Sequence, residues 1–293
     1  RSAGVNPILG EDLARSDVLR ASFVNRNHYA TYAGFGVIAN LAVLAAGFEA
    51  GSGAGGARRV ERLRALITGF FASGWVFALG ALLCLGALAL TQSRGGAISA
   101  TAGILVFLLA HRRHRGAGGR ALALAALGLF AFVALTLSSG LFERVLATSK
   151  EAQRFVVYPE VWAQSLERPW VGHGLGAFHE VFRSRVPAEA AVGEWDYAHS
   201  AYLENLHALG LPAAGAFYLA LALVLWRIWR GTAERRRDRH VPAAALGVAA
   251  VAGLHSLLDF SLQIPACAAL FAAILGLGWA QSFPTRHTGE APE

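Results

Sequence analysis

The sequence predicts an all-α fold, a polytopic transmembrane helical bundle of about seven spans with one large hydrophilic loop carrying short helices. Hydrophobic residues make up 55% of the 293-residue chain and charged residues 15%, with a mean hydropathy of +0.44, a balance foreign to soluble domains. Uncharged runs at 29–48, 65–92, 121–142, 208–226, 241–258 and 260–285 each approach or exceed the roughly 20 residues that a spanning helix needs. A seventh run, 95–110, is shorter; counted from Gln92 it becomes long enough and places Arg94 at the membrane edge. Only one long polar segment, 138–199, breaks the series, so chemistry is expected there.

The net charge of +7 and pI near 10.1 could point to nucleic acid, but the basic residues are almost all arginine, Lys150 being the sole lysine. They cluster in short loops at 58–64, 111–120 and 227–239, after alternate apolar runs. That pattern is topogenic, as the positive-inside rule requires of cytoplasmic loops, and it leaves no reason to invoke a nucleic-acid partner. The chain then divides into an outer segment 1–28, four spans within 29–137, the outer loop 138–200, three spans within 201–282 and a cytoplasmic tail 283–293. In a bacterium the outer side would be the periplasm. Cys84 and Cys267 lie inside apolar runs and read as small buried residues rather than a disulfide or metal pair. The chain has no methionine and opens on a polar segment without signal-peptide features, so it reads as the C-terminal part of a longer protein.

In chain order, residues 1–26 are mixed in charge, with Asn6-Pro7 as a turn signal. Asn25-Arg26-Asn27-His28 meets the first span, where His28 either faces a substrate cavity or only marks a polar helix start. The Gly/Ala/Ser stretch 50–57 is a flexible connection. At Thr91-Gln92-Ser93-Arg94-Gly95-Gly96, an arginine stands at the membrane edge beside two glycines that permit close approach. A guanidinium there suits a lipid phosphate or a diphosphate, and interfacial snorkelling is the alternative. Within the polar loop, Pro159 is expected to open an amphipathic helix whose Trp162 and Leu166 share a face at the membrane surface. The glycine-rich turn 168–178 matches neither a P-loop nor a dinucleotide fingerprint, and His173 within it is a loop histidine.

His199 directly precedes a helical run in which Tyr202, Leu203, Leu206 and Leu209 recur every three to four residues, with Ser200 as the expected N-cap. An imidazole at a helix N-terminus meets the positive end of the dipole, which favours a neutral ring able to accept a proton. That suits a general base; Glu194, Asp196 and His199 as a metal set is the competing reading. His255 and Asp259 stand four apart and are expected to pair near the outer end of a span.

Taken together, Asn25-Arg26-Asn27-His28, Ser93-Arg94-Gly95-Gly96, Arg154 with Trp162 and Pro169, Gly172-x-Gly174 with Phe178, His199-Ser200-x-Tyr202-Leu203 with Gly210-Leu211, and His255-Ser256 with Asp259-Phe260 resemble the O-antigen ligase/polymerase family. The resemblance spans almost the whole chain. It implies a bacterial inner-membrane glycosyltransferase that takes a glycan from undecaprenyl diphosphate on the periplasmic side, with no nucleotide sugar, metal or other cofactor. Carried over by position, Arg94 and Arg154 match the arginines that handle the diphosphate, and His199 matches the loop histidine that activates the acceptor. Tyr202, His28, His255 and Asp259 are the accompanying candidate substrate-binding residues. Ser200 departs from the family, which often has Asn after the histidine, and the amino-terminal half of a usual member is missing.

The implied reaction is an inverting displacement by an acceptor hydroxyl, that of lipid A-core, a growing glycan or a protein, among membrane lipids. A transporter or flippase for a lipid-linked or anionic solute is the rival, and it would show paired broken helices and an internal repeat. A membrane scaffold would not require His199 beside two arginines.

Overall fold

A computed structural model describes residues 18–52, 64, 67–112, 150–190, 195–235 and 237–284. The described residues are helical apart from turns and short connections. Helix α1 spans Arg26–Ser52, α2 Trp75–Leu90 behind a π-helical turn at Phe70–Gly74, and α3 Arg94–Arg112. Two helices of the polar loop follow, α4 at Lys150–Glu167 and α5 at Phe178–Arg183, then α6 at Ala201–Glu234, α7 at His240–His255 and α8 at Pro265–Ala280. The apolar run 121–142, the segment 1–17 and the basic clusters around 58–63 and 113–120 lie outside the described residues.

Among the described residues, three helices are long and apolar enough to cross a membrane: α1 over Arg26–Gly47, α3, and the 34-residue α6. Helices α2, α7 and α8 are apolar but have 16 residues each, a rise of about 24 Å. Two of them are shorter than their apolar runs for a local reason. Pro265 occupies the first turn of α8, where its missing N–H costs nothing, so residues 260–264 stay outside the helix. Helix α7 stops at His255, and between them the segment 256–264 forms turns and a 3₁₀ turn at Ser261–Gln263.

Small residues let the helices approach closely, the usual device where lipid removes the hydrophobic drive between them. Helix α3 crosses α7 at Gly103 and Gly247; a Cβ on Gly103 would lie 2.6 Å from the Gly247 carbonyl oxygen. Around that crossing Phe35, Ile38, Phe107, Val248 and Val251 form a buried core. Cys84 and Cys267 are both free thiols: Cys84 packs against this core, while Cys267 is buried with its Sγ donating to the His28 carbonyl at 3.5 Å.

The polar segment is a folded cap with its own core of Val157, Val161, Phe178, Phe182, Trp195 and Ala198. Contrary to expectation, α4 begins at Lys150 and runs through Pro159. The turns before the proline are held from outside, because Arg154 and Tyr158 both bond the turn after α7. Trp162 and Leu166 lie on the exposed face of α4.

The cap grips α6 where that helix is broken. Gly210 has φ +74 and interrupts the helical path, and the carbonyls freed there are taken by His173 N–H to His207 (2.8 Å) and Gly174 N–H to Ala208 (3.0 Å). Leu211 N–H returns a bond to Pro169 at 2.7 Å. At both Gly172 and Gly210 a Cβ would strike backbone within 3 Å, and both have positive φ, so glycine is required on each side of this contact.

Candidate active site

The N-termini of α1, α3, α6 and α8 and the C-terminus of α7 converge at one end of the bundle, under the cap. Each begins or ends there for a readable reason. Asn25 Oδ1 accepts the Asn27 N–H at 2.8 Å and caps α1. Ser93 Oγ accepts the Gly96 N–H at 3.2 Å and caps α3, and it donates to Asn27 Oδ1 at 2.8 Å, joining the two motifs. The far end of α6 is the basic one: Arg227 and Arg230 pair with Glu234, and Arg227 and Arg235 bond the carbonyls of Ser282 and Phe283 beyond α8.

The backbone carbonyls of the turn that follows α7 organise the site. Ser256 and Asp259 accept the Ala201 N–H at 3.0 and 3.3 Å, Leu257 accepts from the Tyr158 hydroxyl at 3.2 Å, and Leu258 accepts from Arg154 Nη1 at 2.7 Å. Tyr158 also shares its hydroxyl hydrogen with the His199 carbonyl at 2.9 Å. Burial pushes the Tyr158 phenol up to about 12, with Asp259 adding to the effect and Arg154 opposing it, so the hydroxyl remains a donor. Ser200 stands at the N-cap position of α6 without capping it; its hydroxyl points 3.4 Å from the Ser256 carbonyl. Glu204 instead reaches back, Oε2 accepting the Ala198 N–H at 3.0 Å.

These bonds set a buried carboxylate among histidines. Asp259 is fully buried, with Oδ1 4.0 Å from His199 Nδ1 and Oδ2 3.5 Å from His28 Nε2. Among the described residues both nitrogens and Oδ1 lack any closer partner, whereas Oδ2 accepts the Ser261 hydroxyl at 2.5 Å. Burial by itself opposes the Asp259 charge, but His199, His255, His28 and Ser261 together hold the carboxyl well below the usual carboxylate range. His255 does not pair with Asp259 directly. It is the last residue of α7, so the helical four-residue spacing does not continue to Asp259; its Nδ1 meets the Thr31 hydroxyl, which leads at 2.9 Å to Ser261 and so to the carboxylate.

His199 has φ +52, a left-handed conformation that costs a non-glycine residue energy and that its surroundings must enforce. Its carbonyl is held by the Tyr158 hydroxyl at 2.9 Å, and Trp195 and Phe260 meet its ring edge-on at 5.6 and 5.2 Å. The side chain is a quarter exposed and opens onto a cavity of about 650 Å³, walled also by His28, Asn25, Tyr197 and Phe260.

The other expected residues are placed around this centre. Tyr202 donates to the Gly253 carbonyl at 2.8 Å, fixing α6 against α7. Arg154 faces the Leu258 carbonyl beside Asp259. Arg94 begins α3, and among the described residues no side chain or carbonyl pairs with its guanidinium; a Cβ on the adjoining Gly95 would sit 3.2 Å from the His255 ring. Asp196 pairs with His179 at 3.1 Å rather than pointing to His199, and Glu194 lies outside the described residues. Sequence reasoning missed Thr31, Ser261 and Tyr158. Thr31 carried a signal, since it lies three residues after His28 on the same face of α1.

The fold and site define a helical membrane protein with a histidine–carboxylate centre at one end of its bundle, beneath a folded cap. Residues 79–218 match the family described as O-antigen ligase, which supports the resemblance to the O-antigen ligase/polymerase family. The match takes in Arg94, Arg154, His199 and Tyr202; His28, His255 and Asp259 lie beyond it. No curated protein matches the chain significantly. The match supports an O-antigen ligase- or polymerase-like function, a family whose members work on a lipid-linked glycan and a glycan acceptor in general.

Proposed function

We propose that the chain moves a glycan from undecaprenyl diphosphate to an acceptor hydroxyl at the periplasmic face of the bacterial inner membrane. The observation that carries this reading is His199 itself: an imidazole at the mouth of a cavity, Nδ1 toward a buried carboxylate, within the segment that matches the O-antigen ligases. With Asp259 behind Nδ1, the opposite ring nitrogen is free to take the proton of the acceptor hydroxyl as it attacks the anomeric carbon. The 4.0 Å gap is of the size that closes when a site fills. Arg94 and Arg154 hold the diphosphate and stabilise its leaving charge, so no metal is needed, and direct displacement inverts the anomeric centre. Arg154 spends one of its five donors on Leu258, leaving the rest for phosphate oxygens.

A periplasmic site agrees with the arginine-rich end of α6 lying at the opposite end of the helices from His199. For a transporter, the break in α6 at Gly210 would have to line the substrate path. The cap fills that break, and residue 210 is not among the walls of the His199 cavity.

The test is transfer from a purified polyprenyl-diphosphate glycan by the full chain in liposomes, with chelator present throughout and the anomeric configuration of the product read by NMR. Transfer with inversion is expected. Absence of transfer, or transfer only after magnesium or manganese is restored, would reject this mechanism.

A further inference from the structure

On the glycosyl-transfer reading, the cavity beside His199 shows which of the two substrates it takes. Its walls include Asn25, His28, Asp196, Tyr197, His199 and Phe260, and among the described residues no arginine or lysine lines it. Arg94 and Arg154 are both outside it. A diphosphate requires guanidinium, ammonium or clustered N–H donors where it sits, so this space is not built for the donor's charged group.

It is built around an aromatic floor. Tyr197 lies flat on Phe260, ring centroids 4.0 Å apart and planes 15° from parallel. Phe260 is buried and is held edge-on by His28 and His199 at 4.7 and 5.2 Å, while Tyr197 keeps 38% of its surface exposed. A platform fixed this way loses little freedom when a ligand settles on it. The C–H face of a pyranose complements such a π surface, and its ring of hydroxyls needs neutral or anionic hydrogen-bonding groups, which Asn25 and Asp196 offer at the walls through the atoms not already engaged by Asn27 and His179. The volume, about 650 Å³, lies within the ordinary range of small-ligand sites.

We propose that this cavity is the acceptor-sugar subsite, with Tyr197 backed by Phe260 as its platform, so that a stacked pyranose turns its attacking hydroxyl toward His199. In the step it serves, the hydroxyl oxygen forms the new glycosidic bond at the anomeric carbon. The bond from that carbon to the diphosphate breaks, its electron pair leaves with undecaprenyl diphosphate, and the hydroxyl proton passes to His199. Tyr197 is a positioning residue and takes no part in the proton transfer.

The experiment uses lipids from a host strain deleted for this chain, in which both substrates accumulate, fractionated into polyprenyl-diphosphate glycan and unglycosylated acceptor. Each fraction is varied separately against the full chain. Tyr197→Ala should raise the acceptor KM roughly three- to tenfold, the scale of a lost aromatic contact, with donor KM and kcat within twofold of wild type. Tyr197→Leu, which keeps Phe260 covered but has no π face, should behave like the alanine variant, and Tyr197→Phe like the wild type. An unchanged acceptor KM in both the alanine and leucine variants would overturn the subsite, as would a rise in donor KM instead, which would assign the cavity to the polyprenyl chain. If the wild type transfers nothing between these fractions, the glycosyl-transfer reading itself fails and the subsite falls with it.

Discussion

Replacing Asp259 by Asn keeps shape and burial but removes the charge that faces His199. If His199 accepts the hydroxyl proton, an imidazolium develops 4.0 Å from a carboxylate of zero exposure. Two unit charges at that distance attract by about 4 kcal/mol at an effective dielectric of 20, which would be a rate factor of about 10³ were the charge fully formed at the transition state. The imidazole is a quarter exposed, so water screens part of this, and the expected loss in kcat is roughly a hundredfold. The neutral amide also no longer fixes which His199 nitrogen carries the proton. The pair should act as a unit: His199→Gln combined with Asp259→Asn should be no slower than His199→Gln alone. The assay is single-turnover transfer in liposomes, with folding checked by size exclusion and donor binding measured separately. Turnover of Asp259→Asn within twofold of wild type, or losses that multiply in the double variant, would refute the coupling between these two residues.

The two arginines should separate by stability. Arg→Lys at 94 or 154 keeps charge without the planar fork and should retain part of the activity, whereas Arg→Ala should lose nearly all. Only Arg154→Ala should also lower thermal stability, by roughly 1–3 kcal/mol, because it alone leaves the Leu258 carbonyl unpaired; equal melting points for the two alanine variants would count against this. Gly210→Ala places a Cβ 2.8 Å from the Gly172 nitrogen at φ +74, so about 2 kcal/mol or more of stability should go, with the cap proteolysed faster; unaltered proteolysis would refute the cap contact. In spheroplasts, a cysteine replacing the exposed Leu175 should react with an impermeant maleimide, and one replacing Arg237 only after lysis. The reverse pattern would invert the topology.

Much of the frame was readable because lipid imposes long uncharged runs, and six of the seven runs coincide with described helices. Their ends were less so. Hydropathy cannot tell a helix from an apolar turn, and residues 256–264 are as uncharged as their neighbours apart from Asp259. The direct His255–Asp259 pair failed for that reason, since it assumed helix where the chain turns. Pro159 misled in the same way: local preference started a helix there, while tertiary bonds from Arg154 and Tyr158 extended it upstream. The nearness of His199 and Asp259, 60 residues apart, could be suspected only from the combination of short motifs. Thr31 had only its place one helical turn after His28, and Ser261 had no signature at all, because hydroxyls inside apolar runs usually bond their own helix.

His199→Gln isolates the proton transfer from acceptor to imidazole, since Gln keeps a hydrogen-bonding side chain that cannot accept a proton at neutral pH. Single-turnover transfer from a polyprenyl-diphosphate glycan should fall by roughly a hundredfold or more, with donor affinity unchanged. A wild-type rate in a variant that binds donor normally would contradict the general-base role.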